Sequence, residues 1–435
     1  MKLGSTVTSR VEHALAQAQH PDSKSVFTQL YASSALHQAH VCDVNRDAGQ
    51  SLGALHGCVL TLKDNLDVAG ETTLSGGVVC LGDAPAPQDA RVVARLRAAD
   101  AVLLGKTNMS EFAFSGVGIN PHHGTPANPW DDKVHRIPGG SSSGAAVSVA
   151  LGLADVGVGT DTGGSIRIPA ALCGLVGFKS TQARISRAGV MELSRTLDAV
   201  GCIGRTVADV LRVDAVMSGQ PLQACPVDLR GVRFAVPQSL MLDDMCLEVA
   251  QAFDKALQRI RDAGAEVVDV AWHGLNDIAA LSQPGGFSPI EGYAAHHERL
   301  ARGADRIDPR VLARMRLGQG VSAQDYLAML DRRQAWITEA EKILQGFDAV
   351  LSPTVPMVAP ETAPLMEDDE LFFRVNRLLL RNPSSINYLN GCSFSVPCQT
   401  LGDLPVGLMV SAPAGHDAML ASVALSIEAL NLTGA

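Results

Sequence analysis

The 435 residues predict an α/β fold. Three observations carry this. Short apolar runs alternate with helical stretches at 59–63, 91–99 and 101–104, as they do when helices cover a sheet. The alternation returns at 233–236, 246–263 and 266–270. Hydrophobic residues make up 46% of the chain, and a chain of this length can bury a large core.

Taken in order, residues 1–50 read as amphipathic helices, with Val11, Ala14, Leu15 and Ala18 at helical spacing and a polar linker near 43–51. The apolar run 59–62 is a strand that ends in Lys63. A helix at 91–99, a buried strand at 101–104 and a loop from Asn108 follow. Residues 115–145 form a long loop rich in Gly, Pro, Asn and His. So long an irregular stretch within a packed fold is usually functional. It closes on Pro138-Gly139-Gly140-Ser141-Ser142-Ser143-Gly144 and enters a helical run, 145–153. A strand at 155–159 then leads into Thr160-Asp161-Thr162-Gly163-Gly164-Ser165. Residues 271–345 read as mainly helical, 349–351 and 406–410 as strands, and 418–430 as a helix. No repeat, coiled coil or linker-like tract interrupts the chain, so one domain is expected over 1–435.

Composition narrows the function. The formal net charge is −10 and no Lys/Arg cluster stands out, which argues against a nucleic-acid surface. A small anionic substrate held by one arginine remains compatible. No apolar run is long enough to cross a membrane, and the N-terminus lacks the pattern of a signal peptide. The nine cysteines form no CxxC pair, so they are expected to be reduced core residues in a reducing cytoplasm. Nor do His, Cys and carboxylates show metal-ligand spacing. Aromatics are only 4%, which predicts a pocket of aliphatic and small side chains.

A serine nucleophile needs a base, donors for the developing oxyanion, and backbone that presents both. Gly163-Gly164-Ser165 meets the backbone requirement, because two glycines clear side chains from where a tetrahedral intermediate must touch N–H groups. Without a partner it reads equally as a glycine-rich turn between strand and helix. The base is less plain. His122 and His123 lie in the long loop with no acidic residue nearby in sequence, as solvated histidines do. Lys63, closing an apolar strand, is either a snorkelling surface residue or a buried functional amine. Gly140-Ser141-Ser142-Ser143-Gly144 formally matches the nucleophile elbow G-x-S-x-G, with Ser142 as its serine, but a loop stands where that motif needs a strand. Arg167 either pairs with a buried carboxylate such as Asp161, bracing the turn, or binds a substrate carboxylate.

Taken together, Leu62-Lys63-Asp64-Asn65, the Gly139–Gly144 run and Gly159 to Ala170 resemble the amidase signature family. Further similarity lies in 105–112, 124–130, 174–179 and 404–408, strong over about 53–215 and weak elsewhere, with 271–390 as the variable, substrate-side region. The resemblance implies one α/β domain with a mixed central β-sheet flanked by α-helices. It implies a Ser–cis-Ser–Lys triad: Ser165 as the acylated nucleophile, Ser141 as the cis-serine and Lys63 as the base. Backbone amides of Thr162, Gly163, Gly164 and Ser165 would form the oxyanion hole, with Ser142, Asp161 and Arg167 in support. The chain departs from the family where Ser180 replaces a common Pro after Phe-Lys, and where Cys202 follows Gly201 in place of Pro.

The expected activity is hydrolysis of a small carboxamide by a cytoplasmic enzyme that needs no metal or organic cofactor. It would act on a small-molecule amide, with neither nucleic acid nor membrane as partner; homodimerisation is implied by analogy alone. The alternatives are a glutaminase-like subunit of a tRNA-dependent amidotransferase and a non-catalytic binding module.

Overall fold

Eleven strands join in one sheet in the computed structural model, which describes residues 6–434. They are β1 (Phe27–Leu30), β2 (Val59–Lys63), β3 (Val102–Thr107), β4 (Val156–Asp161), β5 (Val176–Lys179), β6 (Ala199–Gly204), β7 (Arg233–Pro237), β8 (Glu266–Val270), β9 (Ala349–Pro353), β10 (Cys392–Pro397) and β11 (Gly407–Ala412). Their spatial order is β1-β3-β2-β4-β6-β5-β10-β11-β9-β7-β8. β2 runs parallel to both β3 and β4, the strands from β4 to β9 pair antiparallel, and β9, β7 and β8 are parallel again. The sheet is therefore mixed, as the family resemblance implies.

Side chains alternate across each strand, and both faces of the sheet are covered. On one face Leu60, Leu62, Val158, Phe178 and Phe394 pack with the helices Val207–Ser218, Leu247–Asp262 and Asp417–Ala429. On the other, Val59, Val102, Leu104 and Ile203 meet the helices Val7–Gln17, Ala32–Asp47 and Ser143–Ala150. Each fully buried Leu or Val contributes roughly 1.5–3 kcal/mol. Some helix starts carry side-chain caps: the Thr206, Ser322 and Asp368 side chains accept the N–H groups of Asp209, Asp325 and Leu371.

The sequence reading overlaps β2, β3, β4, β7, β8, β9 and β11, with β2 and β8 matching at both ends. It missed β1, β5, β6 and β10. Glycine dilutes β5 and β6, and in β6 it has a packing reason: a Cβ on Gly201 would lie 2.3 Å from the Phe178 carbonyl oxygen. In β10 Cys392, Phe394 and Val396 alternate with Ser393 and Ser395, a strand pattern that the reading passed over; Ser393 and Ser411 satisfy each other across the ladder at 2.8 Å. The linker expected near 43–51 is a correction. The helix Ala32–Asp47 runs through Asp43, whose carboxylate accepts the N–H groups of Val7 and Thr8 at 2.9 and 2.8 Å. Residues 1–5 of the helical expectation, and residue 435, lie outside the described residues.

All nine cysteines are free; seven are buried, Cys246 is half-buried and Cys225 is exposed. Among the described residues no helix is long and apolar enough to cross a membrane.

Candidate active site

Neighbouring parallel strands bring their C-terminal ends to one place, so β2 and β4 deliver Lys63 and Thr160 side by side. Lys63 is fully buried. Its Nζ lies 2.7 Å from Ser141 Oγ and 2.9 Å from Thr160 Oγ1. Asn65 Nδ2 donates to the same threonine oxygen at 3.0 Å. Burial pushes the Lys63 amine down to about 7, against the opposing pull of Asp161 and Asp198. Asp64 turns to Lys106, 3.8 Å away, and to the Gly76 N–H.

The serine run is held by backbone. Gly140 N–H donates to the Gly116 carbonyl at 2.8 Å, Ser110 N–H to the Ser141 carbonyl at 3.1 Å and Ser142 N–H to the Ser165 carbonyl at 3.3 Å. The Gly140–Ser141 peptide is cis. The last of these bonds ties the run to the turn 162–165. Ser142 Oγ is buried and donates to the Thr160 carbonyl at 3.3 Å. No strand precedes it, so the elbow requirement is not met.

The turn is built on Asp161, at the end of β4. Its fully buried carboxylate accepts from Gly164 N–H (2.8 Å), Ile166 N–H (3.2 Å), Arg167 Nη2 (2.9 Å) and Asn387 Nδ2 (2.9 Å). Burial alone would raise its pKa; the Arg167 charge and these bonds outweigh that and hold it well below the usual carboxylate range. Arg167 is itself fully buried and donates to Asn387 Oδ1 at 2.6 Å. Of its two readings, the structure has the pairing with Asp161.

The expectation for Gly164 needs correction. Its N–H is committed to Asp161 and is not available to an oxyanion. The N–H groups of Thr162, Gly163 and Ser165 make no hydrogen bond among the described residues. Gly164 instead serves the shape of the turn. Its φ is +124°, and a Cβ there would lie 2.6 Å from Pro383 Cβ and 2.7 Å from Ile168 Cδ1.

Thr162, Gly163 and Ser165 line a cavity of about 290 Å³ with Phe114, Arg314 and Tyr388 also in its wall. The wall draws on residues 113–115, on Leu193 and Leu197, and on residues between 282 and 388. As the low aromatic count predicts, the lining is mainly small and aliphatic; Phe114, Phe287 and Tyr388 are its aromatic members. The Ser165 hydroxyl makes no hydrogen bond among the described residues.

His122 is a further correction. It is half-buried, with Nε2 3.2 Å from Glu111 Oε1. Burial pushes Glu111 up to about 8 and His122 down. Neither lines the cavity at Ser165.

Comparison with known proteins decides the family. A family model described as "Amidase" matches residues 9–421. The chain belongs to the amidase family. It is 36% identical over 397 residues to a 2-amino-5-chloromuconic acid deaminase of Comamonas testosteroni, covering 90% of this chain and 85% of that one. It is 32% identical over 455 residues to a glutamyl-tRNA(Gln) amidotransferase subunit of Symbiobacterium thermophilum, covering 96% and 92%. A crystal structure of an amidase superposes with a TM-score of 0.88 at 30% identity, over 98% of this chain and 96% of that one. This amidase is thus a hydrolase acting on amide C–N bonds, built on the mixed sheet of its relatives.

Sequence reasoning missed several groups that shape the amidase site. Asp198 Oδ1 accepts the Thr162 hydroxyl at 2.6 Å while Oδ2 takes the N–H groups of Leu193 and Ser194. Asn387 comes from the distant helix Asp369–Tyr388. Thr160, next to Asp161, and Asn65, two residues past Lys63, were visible, and their hydroxyl and amide chemistry was the available signal.

Proposed function

We propose that this amidase hydrolyses a small carboxamide to a carboxylate plus ammonia or an amine through an acyl-enzyme on Ser165. Ser165 Oγ attacks the carbonyl carbon and gives its proton to Ser141 Oγ, which passes its own to Lys63 Nζ. The proton returns along the same path to the leaving nitrogen as the C–N bond breaks. Water then attacks the ester, loses a proton to the relay and frees Ser165. The N–H groups of Gly163 and Ser165, with Thr162 beside them, are the donors for the oxyanion.

One observation carries this reading: a buried amine with its pKa lowered to about 7 lies 2.7 Å from the Ser141 hydroxyl. A neutral amine has one lone pair and two N–H groups. Thr160 Oγ1 and the Thr160 carbonyl, at 2.9 and 3.4 Å, take the N–H groups. The lone pair is left for the Ser141 proton. The deaminase relative supports release of ammonia from a C–N bond.

A second reading is a glutaminase-like subunit that hands ammonia to a partner. The near full-length match to the amidotransferase subunit favours it. A fluorophosphonate probe followed by peptide mapping tests the shared step, with the label expected on Ser165; a label on Ser142 would refute it. Ammonia release by the purified chain from aliphatic, aromatic, dicarboxylic and urea-type amides separates the two readings. Turnover by the chain alone supports the hydrolase. Turnover of glutamine only, and only with an added partner subunit, supports the second.

A further inference from the structure

The cavity at Ser165 continues into a larger lobe of about 660 Å³; the two share Ser282, Arg314, Leu317, Leu380, Ser384 and Tyr388. Among the described residues, Arg314 is the one charged side chain in the wall of the inner lobe. Arg377 and Arg381 join it in the outer lobe, and no Asp or Glu lines either. That runs against the chain as a whole, whose net charge is −10.

Arg381 has a counterion, Asp244 at 3.5 Å. Arg314 has none within ion-pairing distance among the described residues. It donates one N–H to the Phe114 carbonyl and lies over the Phe114 ring, 5.3 Å from its centroid. A guanidinium has five N–H donors, so most of the fork remains for a ligand. Burial lowers its pKa to about 10, which leaves it charged at neutral pH. A half-buried, unpaired guanidinium in a largely apolar wall is costly, and its planar fork matches a carboxylate.

We propose that Arg314 binds a carboxylate of the substrate, so that the amide presented to Ser165 belongs to an anionic molecule, a monoamide of a dicarboxylic acid. Leu193, Leu197 and Phe287 then flank the carbon chain between the two ends. The proposal rests on Ser165 as the acylated serine only for the identity of the cleaved end. Carboxylate binding itself stands apart from turnover.

Two measurements test it on the full chain. The first is kcat/KM for monoamides of three- to six-carbon dicarboxylic acids against neutral aliphatic amides of equal length. Wild type is expected to favour the charged member of a pair. Arg314→Met is expected to lower that preference about 10- to 100-fold, the size of a lost charge-assisted hydrogen bond, and Arg314→Lys to restore part of it. A merely structural Arg314 would lower both members equally and leave their ratio unchanged, which would overturn the proposal. The second is equilibrium binding of the free dicarboxylates, which needs no hydrolysis. Binding to wild type that weakens at least tenfold in Arg314→Met sustains the proposal even if no amide is turned over. Absence of binding to wild type, or equal binding to both, overturns it even if Ser165 is acylated.

Discussion

Lys63 is fully buried beside two hydroxyls, and its amine titrates near 7 because burial penalises the ammonium more than Asp161 and Asp198 favour it. In the proposed mechanism, protonation removes the base. The kcat/KM of the amidase is therefore expected to fall about tenfold per pH unit below about 7, as measured with a neutral amide whose own charge does not change. Lys63→Ala is expected to lose about 10³-fold or more in kcat while circular dichroism stays native. Lys63→Arg should be no better, since guanidinium keeps its proton. Thr160→Val removes an acceptor that favours the ammonium over the amine, so its acid limb should move to lower pH. A folded Lys63→Ala with near wild-type turnover would break the assignment. At this scale much was legible: Lys63, Ser141, Asp161, Ser165 and Arg167 all lie in contiguous motifs. Arg314 was not, because nothing near it in sequence marks a cavity and only the fold places it beside Ser165.

The helix Asp369–Tyr388 shows what a single element adds to the turn. Leu380, Ser384 and Asn387 recur at helical spacing and share one face. Along it, Leu380 lines the cavity, Ser384 Oγ donates to the Gly163 carbonyl at 3.2 Å, and Asn387 bridges Asp161 and Arg167. Pro383, on the same helix, stands where a Gly164 side chain would go. Gly164→Ala combines a left-handed φ with that overlap. It is expected to cost about 1–3 kcal/mol in denaturant unfolding and about 10²-fold in kcat, by moving the Gly163 and Ser165 N–H groups. Asn387→Ala strands a buried acceptor and a buried donor, and should cost about 1–3 kcal/mol. If Gly164→Ala unfolds and turns over like wild type, the turn is not set by this contact. The sequence reading assigned no element to this stretch, where Pro383 and the polar Asn382-Pro383-Ser384-Ser385 run break the helical pattern. Two strands that escaped notice did so for a related reason. Local pattern reports apolar periodicity, and β5 and β6 replace part of it with glycine.

Across the whole molecule, the sheet buries ionisable groups as well as apolar ones. Asp64, Asp198 and Asp214 are each pushed up to about 6 by burial, and Glu111 to about 8. Lys179 is pushed down to about 8 and His296 to about 4 by the same cause. These act on stability in opposite senses, so the net slope of stability with pH assigns nothing to any one group. A conservative variant isolates one. The folded chain holds the Glu111 proton up to about pH 8, whereas the unfolded chain releases it near 4.5. Over that interval the folded state binds more protons, so the contribution of Glu111 is full below about 4.5 and is lost as pH rises through 8. Glutamine mimics the protonated acid. It can accept the Asp308 N–H, which Glu111 Oε2 takes at 2.7 Å, and offer an N–H to His122 Nε2. Glu111→Gln and wild type should therefore melt within about a degree of each other at pH 5, where both side chains are neutral. By pH 9 wild type carries a buried carboxylate and the variant does not, so the variant should melt higher by about 2 °C or more. Calorimetric melting of both proteins from pH 5 to 9 measures the gap. A gap that stays constant with pH would mean that Glu111 is ionised throughout, with His122 protonated as its counterion.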